Sequence, residues 1–462
     1  MRSKRCSFRS HFIFGILFLV FGLTAPFPSI PIKLQQIFGL MSFAIIFWIS
    51  QPITIEKTSF LLISGILLTN LVGVESIILS LSNKTLWLVI SGMAISISVI
   101  EFKFTTKVAQ LLGKHLPTSL VGLVIQMHFL GLLTAMIVPA GIVRVILLFP
   151  IGNAIAEQYS EYQQIELKKV ILLSLTLSTI LGGFGFLTGA VPNMISSGLF
   201  TADTNIPVTW SSWLFWMSPS VGLLRTITSA LIILIIFSRN FGKLSKKKNT
   251  NKDNRSFDHK QILGMIIIAC CVLGLITDSI HGCSPLNVCL LTVVLIFSRP
   301  IGPLPIRFVK NLNFGFLFYL FSLFVLGDAT EASGVMVIYK NSIVDFFKLL
   351  DSSPIHYYGF TMLSALPLSF FMDVAAVAVL LTPVFLEISN IIGMQPYSAM
   401  MSLSLGTSIV FFPYQAAPLM YAFNSGSIPK KTFIKLLVII SIISLCVIYP
   451  VTLLVWSLSG FI

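Results

Sequence analysis

Charge is scarce in this sequence. Only 10% of its 462 residues are Asp, Glu, Lys or Arg, where a soluble chain carries roughly 25%. With 56% apolar residues and a mean hydropathy of +0.95, the polar surface could not cover a core of that size, which excludes a soluble globular protein. Cysteine is sparse too. Cys6, Cys270, Cys271, Cys283, Cys289 and Cys446 lack paired metal-ligand spacing and lie mostly in apolar segments, which excludes a disulfide scaffold. The apolar content excludes a disordered or collagen-like chain. Alternating apolar and polar residues, the mark of a membrane barrel, give way here to long continuous apolar runs. Catalytic signatures are missing as well: no HExxH, no Walker loop, no Gly-x-Ser-x-Gly elbow, and no histidine pair at i, i+4 with a carboxylate between. That argues against a membrane enzyme and implies no cofactor. An all-α polytopic membrane protein remains.

Apolar segments run near 12–27, 34–50, 59–74, 86–100, 170–200, 215–238, 261–280, 286–298, 313–327, 398–424 and 433–460, giving about eleven expected transmembrane helices. The first follows a basic start at 2–9 and ends at Pro26 and Pro28, with no clear small-residue cleavage site; it reads as a helix, with a signal peptide as the alternative. Two further stretches, 119–156 and 357–389, are interrupted by Pro139 with Gly141 and Arg144, and by Pro367 with Asp373. We read them as re-entrant hairpins. With the N-terminus in the cytoplasm, outside loops hold only Lys33, Lys84, Lys340 and Lys348, and the other loop lysines and arginines fall inside. This asymmetry explains the net charge of +14 as a topology signal rather than a nucleic-acid surface, and puts the C-terminus outside. The basic run 239–260 is expected to be a cytoplasmic linker, with anionic lipid as an alternative partner.

That linker divides the chain into segment 31–238 and segment 261–462, preceded by residues 1–30. In each half an apolar helix is followed by an amphipathic stretch, a hairpin and a broken helix. The broken helices carry LGGFGFLTGAVPNMI (181–195) and SIVFFPYQAAPLMY (408–421), with Pro192 and Pro418 in matching places. An odd number of spans per repeat inverts the second copy, and inverted repeats with Gly/Pro-interrupted helices point to a secondary transporter with a midplane site. Helices break in hydrocarbon only where they line a cavity or lie within protein. Gly182, Gly183, Gly185 and Gly189 let the chain leave helical geometry, Pro192 removes a donor, and the freed groups can hold ions.

At these motifs the chain resembles the divalent anion:sodium symporter family of the wider ion transporter superfamily, from about residue 30 onward. Gly182-Gly183 with Gly189-Ala190-Val191-Pro192-Asn193 is similar to that family's Gly-Gly-x-x-x-x-x-Gly-Thr-x-Pro-Asn, with Ala190 for the Thr and the Thr188 hydroxyl nearby. Phe412 to Pro418 with Asn424-Ser425-Gly426 is similar to its Leu-Pro-x-x-Thr-Pro-Pro-Asn and Gly-Ser-Gly segment, with Ala416, Ala417 and Leu419 replacing Thr, Pro and Asn. The resemblance implies a scaffold domain, a mobile transport domain, a homodimer, and elevator-type alternating access for a small anionic substrate such as a di- or tricarboxylate or sulfate. The family's Ser-Asn-Thr hairpin tips are replaced by Ala140-Gly141-Ile142 and Met372-Asp373-Val374. Side-chain oxygens for sodium are thus lost except for Asp373. We expect transport driven by a proton on Asp373 or by anion exchange rather than by sodium. If sodium does bind, it is expected near Gly141, Thr188 and Asp373. The runner-up is an inorganic cation/proton antiporter of the same superfamily; a channel is a further alternative.

The candidate substrate site comprises Gly141, Arg144, Thr188, Asn193, Asp373, Gln415 and Pro418. Arginine at mid-bilayer costs about 2.5–3.5 kcal/mol, so Arg144 must face a cavity or a partner; it is read as fixing an anion or joining a structural ion pair. Asp373 is read as proton acceptor, cation ligand, partner of Arg144, or cap of the following helix. Asn193 and Gln415 bring amides that donate and accept at once. Arg225 is expected to snorkel to the interface.

Overall fold

The computed structural model describes residues 29–50, 52–102, 115–245, 258–299, 302–349 and 353–462, with scattered positions between 13 and 27. The basic start, most of the first expected helix, the amphipathic stretch after Phe102 and the middle of the basic linker lie outside these residues. The described residues are helical with no strand. In chain order the helices are α1 (Ile32–Ser50), α2 (Ile55–Leu68), α3 (Val74–Leu81), α4 (Lys84–Glu101), α5 (Leu120–Ile137), α6 (Gly141–Ala156), α7 (Glu161–Leu181) and α8 (Val191–Thr204). Next come α9 (Trp210–Phe237), then α10 (His259–Ile276), α11 (Asp278–His281), α12 (Pro285–Phe297), α13 (Phe314–Ala332), α14 (Val335–Leu349), α15 (Pro354–Ser369), α16 (Val374–Ile392), α17 (Pro396–Thr407) and α18 (Ala417–Asn424). The last is α19 (Lys430–Leu458).

Among the described residues, eight helices are long and apolar enough to cross a membrane: α4, α5, α7, α9, α10, α13, α16 and α19. Two differences from the sequence reading stand out. The segments near 59–74 and 286–298 form helices of only 14 and 13 residues. Each hairpin, conversely, has one arm of spanning length, α5 and α16. The hairpin turns themselves fall where expected. Val138, held extended at φ −110° and ψ 106° as the residue before Pro139 must be, ends α5. In the second hairpin, Asp373 accepts a hydrogen bond from Ala375 N at 2.8 Å and starts α16 as its N-cap. The two interruptions are also present. After α7 the chain passes through 3-10 turns Gly182–Gly185 and Leu187–Gly189 before α8. After α17 it passes through the 3-10 turn Pro413–Gln415 before α18. Pro192 and Pro418 each sit in the first turn of the resumed helix, where a missing N–H costs nothing. The order hairpin, helix, break, short helix recurs in both halves, followed each time by a long helix with one π-turn, Ser218–Leu224 in α9 and Ser444–Ile448 in α19.

The chain forms two compact units. The first draws its described residues from Met1–Trp87, Asn313–Thr407 and Gly460–Ile462. In it α13 packs on α2 and α3. Asp328, in the last turns of α13, accepts hydrogen bonds from Ser76 and Ser80 at 3.1 and 2.8 Å. The second unit draws on Leu88–Leu312 and Ser408–Ser459. At its centre α7 is flanked by α5, α6 and α9 and is buried almost throughout. The hairpin base and the start of the basic linker are tied together: Tyr159 donates to Pro117 O, Leu244 N to Thr118 O and Ser160 N to Ser245 O, each at 2.9 Å.

Candidate functional site

Six of the seven candidate residues fall in the second unit: Gly141, Arg144, Thr188, Asn193, Gln415 and Pro418. Asp373 belongs to the first, half-buried at the start of α16. Arg144 lies one turn into α6 and is only 1% exposed. Its guanidinium satisfies the need for a partner with backbone rather than with a carboxylate. Nη1 donates to Ala135 O at 3.2 Å and Val138 O at 3.3 Å, and Nη2 donates to Gly189 O at 2.7 Å. Ala135 and Val138 close the C-terminus of α5, where carbonyls lack helical partners and the helix dipole is negative. Gly189 ends the first break. Nε is buried with no partner. The break has room for this group because position 183 has no side chain: a Cβ there would stand 2.9 Å from Nη2 and 3.0 Å from Gly189 O. The glycines at 182, 183, 185 and 189 do not take positive φ. Here glycine serves close approach, not unusual backbone dihedrals.

Two amides complete the breaks with opposite polarity. Asn193, fully buried, donates from Nδ2 to Phe184 O and Phe186 O, both at 2.9 Å. Its Oδ1 is buried and has no partner. Gln415, also fully buried, does the reverse: its Oε1 accepts from Phe411 N and Phe412 N, both at 2.7 Å. Each amide supplies what its interruption removed, acceptable partners for backbone groups that no helix satisfies.

Thr188 is buried and its hydroxyl accepts from the Trp210 indole N–H at 3.1 Å. The same indole stacks on Phe186 at 6.1 Å. Trp210 is placed by Asp278, a 1% exposed carboxylate that accepts from Trp210 N, from Ser211 N at 3.2 Å and from Ser211 Oγ at 2.7 Å. Asp278 thus caps α9 from α11. Neither Trp210 nor Asp278 stood out in the sequence as part of the site. Gly141 opens α6 and packs on α18; a Cβ on it would stand 2.7 Å from Pro418 Cγ. Gly141, Val191, Ala417 and Pro418, which begin α6, α8 and α18, are all partly exposed. Three helix N-termini therefore gather around one buried guanidinium, a positive environment suited to an anion.

Arg225 departs from the expectation. It does not reach an interface: it is 0% exposed, directly after the π-turn of α9. The helices α5, α7 and α19 pack on the segment that carries it, so the side chain has no path to water. All three of its guanidinium nitrogens lack a partner.

A polytopic helical protein in which two interrupted helices resume beside a buried arginine has the architecture of a membrane transporter. The chain belongs to the family of the sodium:sulfate symporter transmembrane region, whose profile matches residues 8–462. Among similar proteins, an uncharacterized transporter of Haemophilus influenzae is 24% identical over 98% of this chain and 99% of its own length. The sodium-dependent dicarboxylate transporter SdcS of Staphylococcus aureus is 22% identical, over 58% of this chain and 55% of SdcS; the chain aligns with little more than half of that relative. The crystal structure of the Alcanivorax borkumensis YdaH transporter shares the fold, with a TM-score of 0.56 at 15% identity, over 83% of this chain and 88% of that one.

Proposed function

We propose that this protein is a secondary active symporter that moves a small oxyanion, sulfate or a dicarboxylate, together with sodium. The observation that carries the reading is the gathering of the N-termini of α6, α8 and α18 beside Arg144. Gly141 touches Pro418, and Arg144 holds Gly189 two residues before α8 begins. Backbone N–H groups at such ends bind oxyanions without a dedicated basic side chain. Family membership and the sodium dependence of SdcS favour sodium as the coupling ion over the proton or exchange route suggested by the hairpin tips. Gly141, Thr188, Asn193, Gln415 and Pro418 frame the substrate, Arg144 supplies long-range attraction, and Asp373 supplies the one acidic oxygen donor at a hairpin tip. The rest of the reading is an inner- or plasma-membrane homodimer of two inverted repeats. It has eleven spans, two re-entrant hairpins, a cytoplasmic N-terminus and 239–260 linker, and elevator-type alternating access.

Proteoliposomes test this directly. A sodium gradient without a pH gradient should drive concentrative uptake of labelled sulfate or succinate, and external unlabelled substrate should accelerate efflux, as a carrier but not a channel allows. Uptake that follows a pH gradient and ignores sodium would return the coupling role to a proton.

A further inference from the structure

The first hairpin tip and the first break together frame a site made for a cation, and the chain fills it itself. Ala135 O, Val138 O and Gly189 O converge on one positive charge in a place with almost no solvent exposure. Converging backbone carbonyls are the donor set that replaces the hydration shell of an alkali cation. Two of these carbonyls end a helix and the third ends a 3-10 turn, so none is committed to helical bonding. Position 183 is a glycine whose missing Cβ leaves space for the guanidinium itself. The carbonyls that could hold a free ion next to Gly141 are therefore already engaged by the guanidinium.

We propose that Arg144 is a built-in cation, occupying permanently the carbonyl site that a sodium ion would otherwise take at the first hairpin tip. Under the symport reading above, on which this rests, one positive charge of the cycle is then covalent, and transport needs one sodium fewer than two matched tips would require. The second tip carries an acidic residue, Asp373, and keeps its cation exchangeable. The device also explains why a charge that costs several kcal/mol in the bilayer pairs with no acidic side chain among the described residues.

The test uses the full-length protein purified in detergent, melted in choline chloride with sodium chloride or guanidinium chloride substituted at equal ionic strength. Arg144→Ser empties the cage. It should lower the melting midpoint by roughly 5–10 °C, the scale of losing two or three buried charged hydrogen bonds. Millimolar sodium or guanidinium, but not choline, should restore at least half of that loss. Wild type should ignore guanidinium, and its own sodium response should be shallower than the variant's by about one ion in a log–log plot. A loss that no cation restores would make Arg144 a structural cap of α5 and overturn the proposal. If Arg144→Ser does not fold, Arg144→Lys decides: with the charge kept, its cation response should match wild type, and a new sodium response would overturn the idea. Sodium-driven uptake by wild type without rescue of the serine variant would leave the symport reading standing and remove only this inference. Rescue without sodium-driven uptake would do the opposite.

Discussion

The two helix breaks solve one problem with opposite chemistry. In the first, the exposed backbone groups are carbonyls. Asn193 donates to two of them and Arg144 to a third, with two more donors' worth of contact at the hairpin tip. In the second, Gln415 accepts from two N–H groups, and the one freed carbonyl that a side chain meets, Val410 O, accepts from the Ser441 hydroxyl at 2.7 Å. A broken helix is often treated as a generic polar site. Here one break is a cation-holding surface and the other a plugged set of donors. The hairpin tips differ in the same sense: arginine follows the first and aspartate forms the second. The two halves thus keep the same order of elements while dividing the charges between them.

The largest effect is expected at Asn193. Asn193→Ala takes one donor each from Phe184 O and Phe186 O, buried carbonyls that keep only the Trp213 indole N–H at 3.4 Å and Gly189 N at 3.0 Å. Two lost buried hydrogen bonds cost about 1–3 kcal/mol, so the variant should melt below wild type and lose transport. Asn193→Asp should be at least as harmful, because a carboxylate would face two carbonyls with nothing to donate. Near-normal melting of either variant would show that Trp213 and Gly189 N suffice, and that the amide does not hold the first break.

The second break should be milder and should invert the preference. Phe411 and Phe412 are only partly buried, so water can reach their N–H groups when Gln415→Ala removes the acceptor, at a cost of about 1–2 kcal/mol. Gln415→Glu should be tolerated better than alanine, because a carboxylate accepts from two N–H groups more strongly than an amide does. Thermal melts of the four variants side by side check the pattern. Equal tolerance of acid at 193 and 415 would break the polarity contrast between the two interruptions.

Much of this was legible in the sequence. Proline and glycine mark chain geometry locally, so Pro139, Pro192 and Pro418 located one tip and both breaks to within a few residues. The need of Arg144 for a partner followed from its place in an apolar run. The partner's identity did not follow, because a backbone carbonyl leaves no trace in the residue alphabet. The same holds for Gln415, whose acceptor role depends on which groups the turn happens to expose. Arg225 misled because position along a helix says how far a side chain is from the helix end, not what packs over it. Trp210 and Asp278 were missed because the indole that orients Thr188 comes from a helix two elements later, and the carboxylate that caps that helix from 67 or 68 residues away.

The smallest change in stability is expected at the second tip, and it is the most informative about coupling. Asn caps a helix about as well as Asp. Asp373→Asn therefore keeps the bond to Ala375 N and the start of α16, and should shift the melting midpoint by little. What it removes is a charge. If Asp373 is the exchangeable counterpart of Arg144, neutralising it weakens the attraction for sodium, and the half-saturating sodium concentration for uptake should rise by tenfold or more, about 1.4 kcal/mol per decade. A proton route predicts a different signature: the pH dependence of uptake would vanish while the sodium curve stayed put. A pure capping role predicts that neither curve moves. Because folding is held nearly constant, any of these shifts is read on intact protein, and the sodium curve alone separates a divided pair of charges from two unrelated helix caps.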